Sequence, residues 1–347
     1  MPLPRIEGSR LDGRSLPSYT WNADLIFFEG PLLSLFKSEN DYDALFIWLD
    51  CDDRRNRWAI VDISRDNLKS YLCQNISLMH VVHESKSLIV FDATATARKT
   101  RIVKTVWAQL PQEYLPRKDS FLVDEISTPA AKALKEDRVE SYCIKLDGEL
   151  YIDDLASVPR LFQQLYSFHY GLEHLGREAV SSALSRLVSN WHGGVNAVNL
   201  FSGLKSVTPS IHRVRLEHLQ YNSPGHITME LLPQMAQRIK IAADRVSQNF
   251  DDSEALYKSV YKFFKENKIS GFDDERAKKN RILTDIQLQQ LQGFIDQFFE
   301  LMQWNDYRDK FIAIDATPLS QMRALLAYYR RLRRLLRYAE SGQIELT

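Results

Sequence analysis

Ala44-Leu-Phe-Ile-Trp-Leu49 and Trp58-Ala-Ile-Val-Asp-Ile63 are two strongly β-prone runs held apart by the polar Asp50-Cys-Asp-Asp-Arg-Arg-Asn-Arg57. A short polar connection between such runs predicts an antiparallel hairpin. Upstream, Asp24-Leu-Ile-Phe-Phe-Glu29 leads into the turn pair Gly30-Pro31 and then Leu32-Leu-Ser-Leu-Phe36. Downstream, Ser64 is placed to cap a short helix over 65–72, in which Leu68 and Leu72 lie four apart. Leu78-Met-His-Val-Val82 and Leu88-Ile-Val-Phe91 read as further strands around a turn at Glu84-Ser-Lys-Ser87, and 101–107 as another strand. A helix over 130–137 and a hairpin over 141–152, turning at Asp147-Gly148, close this β-rich part.

After about Pro159 the periodicity becomes helical. Leu161, Leu165, Phe168 and Leu172 share a face, as do Val180, Leu184 and Leu187. A β interlude over 211–232 turns at Asn222-Ser-Pro-Gly225. Apolar-faced helices are then predicted over 235–246, 253–265, 285–303 with Asp285 as N-cap, and 318–339. The expected fold class is α+β. A β-rich antiparallel N-terminal domain over 1–158 precedes a mostly helical domain over 159–347 with an inserted β-hairpin.

A chain of 347 residues fits two domains at about 150 residues each. Its 44% hydrophobic and 26% charged residues exclude wholesale disorder and a collagen-like chain. Lys plus Arg and Asp plus Glu are 45 each, so no global field draws it to nucleic acid or anionic lipid; such contact needs a local patch. Cys51, Cys73 and Cys143 form no CxxC pair, which predicts reduced thiols and no cysteine zinc site. Met1-Pro-Leu-Pro-Arg5 lacks a signal-peptide core, and no apolar run approaches the roughly 20 residues of a membrane span. The expectation is a cytoplasmic protein without membrane contact.

Phe28-Glu-Gly-Pro-Leu-Leu33, the two runs at 44–49 and 58–63, Ile76-Ser-Leu78 and Leu110-Pro-Gln-Glu-Tyr-Leu-Pro116 stand in a suggestive order. Together, over about residues 20 to 125, they resemble the bacterial domain-of-unknown-function family 6575. Its pattern runs from a D-G-P-x-L turn through paired strands to an L-P-x-x-x-L-P element. Glu29 stands where Asp is commoner. The resemblance implies a bacterial protein and carries no activity, cofactor or catalytic residue. Leu219-Gln-Tyr-Asn-Ser-Pro-Gly225 is similar to a strand-turn segment of bacterial proteins from mobile-element and anti-phage defence loci.

Catalytic patterns mostly fail on geometry. Asp62 with Glu84-x-Lys86 has the residue types of a metal-dependent nuclease. That chemistry needs Glu and Lys on one strand face, whereas here they fall in a predicted turn. Arg186-Leu-Val-Ser-Asn-Trp-His192 has the spacing of HEPN-type ribonucleases, with Arg186 and His192 as the catalytic pair. Gly193-Gly194 follows at once, so His192 also reads as a helix-terminal residue complementing the dipole. His80 and His83 would point to opposite faces of a strand. His169 and His174 are five apart, and His212 and His218 about 20 Å apart along a strand. No GxGxxG, P-loop or Gly-x-Ser-x-Gly occurs. Asp153-Asp154 and Asp251-Asp252 read as helix-start acids. No metal and no cofactor is expected.

The densest signal is the last helix. Arg323, Arg330, Arg331, Arg333, Arg334 and Arg337 occur there with no acid between 323 and 338. Arg330, Arg333, Arg334 and Arg337 share one helical face, suited to phosphate or carboxylate, with Tyr329 beside them to stack on a base. Tyr328, Leu325, Leu332, Leu335 and Leu336 supply the buried stripe. Arg98, Lys99, Arg101 and Lys104 form a second basic cluster. The leading expectation is a non-catalytic interaction or regulatory subunit of a bacterial assembly in anti-phage defence. Its partner is another protein of the same locus, with self-association open. The alternatives are a nucleic-acid-binding protein using the Arg-rich helix and a HEPN-like ribonuclease.

Overall fold

The computed structural model describes residues 3–94, 101–189, 196–267, 269 and 283–346. The fold class is α+β, in two compact units. The first comprises Met1–Arg138 and Pro209–His212, the second Val139–Thr208 and Arg213–Thr347. The division falls at Arg138 rather than the expected 158, because the strand after it pairs inside the second unit.

In the first unit a meander runs through β2 (Tyr19–Phe27), β3 (Pro31–Ser38), β4 (Asp43–Cys51), β5 (Arg55–Ile63), β6 (Leu88–Thr94) and β7 (Ile102–Thr105). β1 (Ser9–Leu11) joins beside β7, giving a seven-stranded antiparallel sheet. The predicted 44–63 hairpin holds, with Leu45 opposite Val61 and Trp48 opposite Trp58. Side chains alternate, so Leu35, Leu45, Val61 and Val90 share the face buried by α1 (Arg65–Leu72), α2 (Leu78–Glu84) and α3 (Pro129–Glu136). The other face carries aromatic rings: Phe36 stacks on Phe46 at 3.9 Å, and Phe46 meets Phe91 edge-on.

Ser64 caps α1 as expected, accepting from the Asn67 N–H. Residues 78–82 are a helix, not the predicted strand. The Ser77 hydroxyl accepts from the His80 N–H and starts a turn that buries Val81 and Val82 together, which a strand could not do on one face. The Leu110–Pro116 element docks through Tyr114. Its hydroxyl donates to Asp50 at 2.8 Å, and burial pushes its pKa up to about 12. Arg57 lies beneath it, held by Asp92 at 2.7 and 3.1 Å and by the Pro4 carbonyl.

The second unit has a four-stranded sheet in the order β11-β8-β10-β9: Ile344–Leu346, Glu140–Leu146, Gly225–Leu231, Arg215–Gln220. The hairpin expected over 141–152 is absent. β8 pairs instead with β10 and β11, and Gly148, at φ +68°, turns the chain into a helix that begins at Ile152. The helices are α4 (Ile152–Glu173), α5 (Glu178–Ser189), α6 (Asn196–Val207), α7 (Pro233–Gln248) and α8 (Phe250–Glu266). They continue with α9 (Asp285–Met302), α10 (Asn305–Ile312) and α11 (Pro318–Glu340). Thr284, not Asp285, caps α9 in a reciprocal box with Gln287.

Two helices form the axle of this unit. Every residue from Leu165 to Leu172 of α4 is buried, as is every residue from Ala324 to Tyr329 of α11. A helix apolar on all sides must be surrounded by others. The pair runs antiparallel: the Tyr338 hydroxyl donates to Asp154, Arg331 to Gln164 at 2.7 Å, and His169 Nε2 meets the Tyr328 hydroxyl at 2.8 Å.

One buried ion pair fixes the β3–β4 turn. Lys37 donates to Asp43 at 3.2 Å and to the Asp41 carbonyl, with the two side chains 1% and 0% exposed. Lys37→Met should cost about 3–5 kcal/mol in urea unfolding, because the carboxylate is left stranded. Adding Asp43→Leu should recover much of that loss.

Candidate functional site

The arginines of α11 do not form one free ridge. They diverge to either side of the helix and bind its neighbours. Arg330 donates to the Tyr261 hydroxyl at 2.8 Å, and Arg333 lies over the Phe250 ring and pairs with Glu254 at 3.6 Å, both on α8. Arg331 and Arg334 lean the other way, to Gln164 and Ser157 on α4. Arg331 also lies 3.6 Å over the Phe201 ring, and burial pulls its pKa down to about 10. Arg323 is half-buried and its pKa is lowered for the same reason.

Only part of the expected surface therefore faces water. Arg330, Arg334 and Arg337 are exposed, whereas the Arg333 side chain is 17% exposed. Tyr329 is buried, its hydroxyl held by Ser253 and Glu254, so it offers no ring face for a base. Beside it, a cavity bounded by Ser253, Tyr257 and Phe298 holds about 10 Å³, room for one water at most. Of the second cluster, Arg101 and Lys104 are exposed at β7, in the first unit, while Arg98 and Lys99 lie outside the described residues.

The other candidates are dispersed. Arg186 is exposed on α5, and His192 lies outside the described residues. Glu84 ends α2 with Lys86 in the loop beyond it, so the strand needed for a nuclease pair is missing there. His80 and His83 are exposed on that same helix. Among the described residues no three His, Cys, Asp or Glu side chains cluster as metal ligands. His169 is fully buried between Trp304 and Tyr328, and burial drives its pKa down to about 3. His174 stacks on Tyr170 and bonds its carbonyl.

The sequence reading missed the apolar end of the β2–β3 hairpin. Phe27 and Phe28 are 57% and 70% exposed. The chain reverses there through Glu29 at φ +50° and Gly30, with the Phe28 N–H donating to the Gly30 carbonyl. A second segment lies alongside: Ser127 bridges Ile26, and Thr128 donates to the Leu25 carbonyl. That segment adds exposed Phe121, Val123 and Ile126. Glu29 and Glu125 are exposed at its margin, while Asp124, also exposed, is paired with Lys135 at 3.2 Å. A signal was present in the sequence, since adjacent phenylalanines in a strand cannot both face the core.

Arg331→Ala should lower stability by about 1–2 kcal/mol, because it removes packing as well as charge. Arg337→Ala should stay within about 0.5 kcal/mol. Thermal unfolding of the two variants measures the difference. His169 predicts an acid limb. Its unfolded pKa of 6.5 exceeds its folded value of about 3, so the unfolded chain takes up the proton first. Its contribution is complete above pH 6.5 and is lost as pH falls toward 3. In His169→Gln the unfolding free energy should fall less steeply over that window, by up to about 1.4 kcal/mol per pH unit.

Comparison with family models, with curated proteins and with solved structures returns no match to this chain.

Proposed function

We propose that this chain is a non-catalytic interaction subunit of a bacterial multiprotein assembly, acting in anti-phage defence. The observation that carries the reading is the exposed Phe27–Phe28 tip with Val123 and Ile126 beside it. Large exposed apolar side chains gathered at one hairpin end are a feature of contact sites. Its turn, Phe28–Leu33, is also a segment that resembles the bacterial family. The exposed carboxylates of Glu29 and Glu125 favour a protein partner with an apolar socket edged by Lys or Arg, and disfavour an anionic membrane. The defence context rests on the likeness of Leu219–Gly225 to segments from such loci.

Nucleic-acid binding is the second reading, favoured by the exposed guanidinium groups of Arg330, Arg334 and Arg337. Backbone binding of that kind weakens steeply with salt. Three guanidinium groups give a shallow slope, and with Tyr329 buried the stacking component is gone.

The test is capture from cells carrying the whole locus, with half of the sample nuclease-treated. The expected result is a partner that survives nuclease and binds Phe27→Ser/Phe28→Ser about thirtyfold more weakly or worse, a loss of 2 kcal/mol or more for an aromatic anchor pair. A partner held equally well by that variant would overturn the proposal. A partner released by nuclease and by replacing the three arginines with alanine would favour the second reading.

A further inference from the structure

The edge strand β9 in the second unit is unlike any other strand described. All six of its residues, Arg215-Leu-Glu-His-Leu-Gln220, are exposed. It pairs with β10 on one side and, among the described residues, ends the sheet on the other. Soluble proteins normally blunt such an edge with charge, shortness or cover, because its free N–H and C=O groups invite another strand.

The register shows what this edge presents. Leu219 stands opposite Ile227, and Leu216 opposite Met229, with a bulge between Leu216 and His218. Ile227 and Met229 are buried on the core face of the sheet, so Leu216 and Leu219 continue that face beyond its cover, 54% and 48% exposed. Tyr221 follows on the same side, and its hydroxyl accepts from the Leu150 N–H. The opposite face carries Arg215, paired with Glu230 at 3.0 Å, and Glu217, bonded by the Ser141 hydroxyl. Without the bulge, strict alternation would set Leu216 and Leu219 on opposite faces.

We propose that β9 pairs antiparallel with β9 of a second copy of this chain, joining two four-stranded sheets across a two-fold axis. A two-fold interface must be self-complementary, each residue meeting a suitable partner from the same strand. With the axis between Glu217 and His218, Leu216 faces Leu219 of the other copy, Glu217 faces His218, and Arg215 faces Gln220. Both leucine pairs fall on the core face and both Glu–His pairs on the other. An unrelated strand has no reason to match this near-palindrome, which is why the occupant is a second copy. The surface is distinct from the Phe27–Phe28 tip, so either proposal can fail without the other.

Sedimentation velocity of the full chain from low micromolar to about 100 µM, where a small interface associates, tests it together with hydrogen exchange. The expected result is a shift from 40.3 kDa to twice that mass. It should be accompanied by concentration-dependent protection of amides 215–220. Leu219→Lys, at an exposed site, should abolish both while leaving the far-ultraviolet spectrum intact. Glu217→Lys should weaken the dimer about tenfold, since the axis repeats each pair, and Glu217→Lys/His218→Glu should restore it. A monomer at every concentration, a dimer that Leu219→Lys leaves unchanged, or protection of 215–220 only when a different protein is added overturns the proposal.

Discussion

The antiparallel clasp of α4 on α11 is the constraint from which the second unit follows. Leu165–Leu172 and Ala324–Tyr329 are buried on every side, so a polar atom there gains most from a partner within the protein. His169 and Tyr328 supply one such pair, and Tyr329 with Ser253 another. Gln321 donates to the Phe311 and Ile312 carbonyls, tying α10 to the same axle. Trp304 fills the space between, packed on Phe168, Phe298 and Tyr328. Buried polar pairs of this kind specify one alignment of the helices, where an all-aliphatic seam would tolerate several.

Beyond those fully buried stretches, the same clasp accounts for the arginines. Long cationic side chains cover apolar surface with their stems while their heads reach the flanking helices. Arg331 over Phe201 and Arg333 over Phe250 are anchored in this way. The exposed apolar side chains that remain stand at a hairpin end in the first unit and at a sheet edge in the second, where packing makes no demand on side-chain choice.

Much of the architecture was legible from local pattern. Ser64 with Leu68 and Leu72 specified α1, and the β-prone runs at 44–49 and 58–63 gave the central hairpin. The misreadings share a cause: tertiary burial outweighed local preference. Val81 and Val82 favour a strand in isolation, yet the core wanted both on one helical face. Residues 141–152 had the turn chemistry of a hairpin, but β8 found its partners at 225–231 and 344–346, far along the chain. Counting arginines located the helix correctly and misjudged its exposure, because helical spacing does not show where α4 and α8 will stand. The exposure of Phe27–Phe28 and of Leu216 and Leu219 went unread because apolar residues in strands are taken as core until a structure shows which face lacks cover.

Sheet order in the second unit also bears on how the protein is made. β8, the earliest strand of that unit, is flanked by β10 and β11, and its axle waits for α11. A chain emerging from the ribosome can assemble the six-strand meander almost as it appears, each new strand docking on the last. The helices α4 to α6 must meanwhile hold a large apolar surface without their main partner. That interval is the vulnerable stage of biogenesis, and it is where chaperones or a co-translated partner have most to gain by binding.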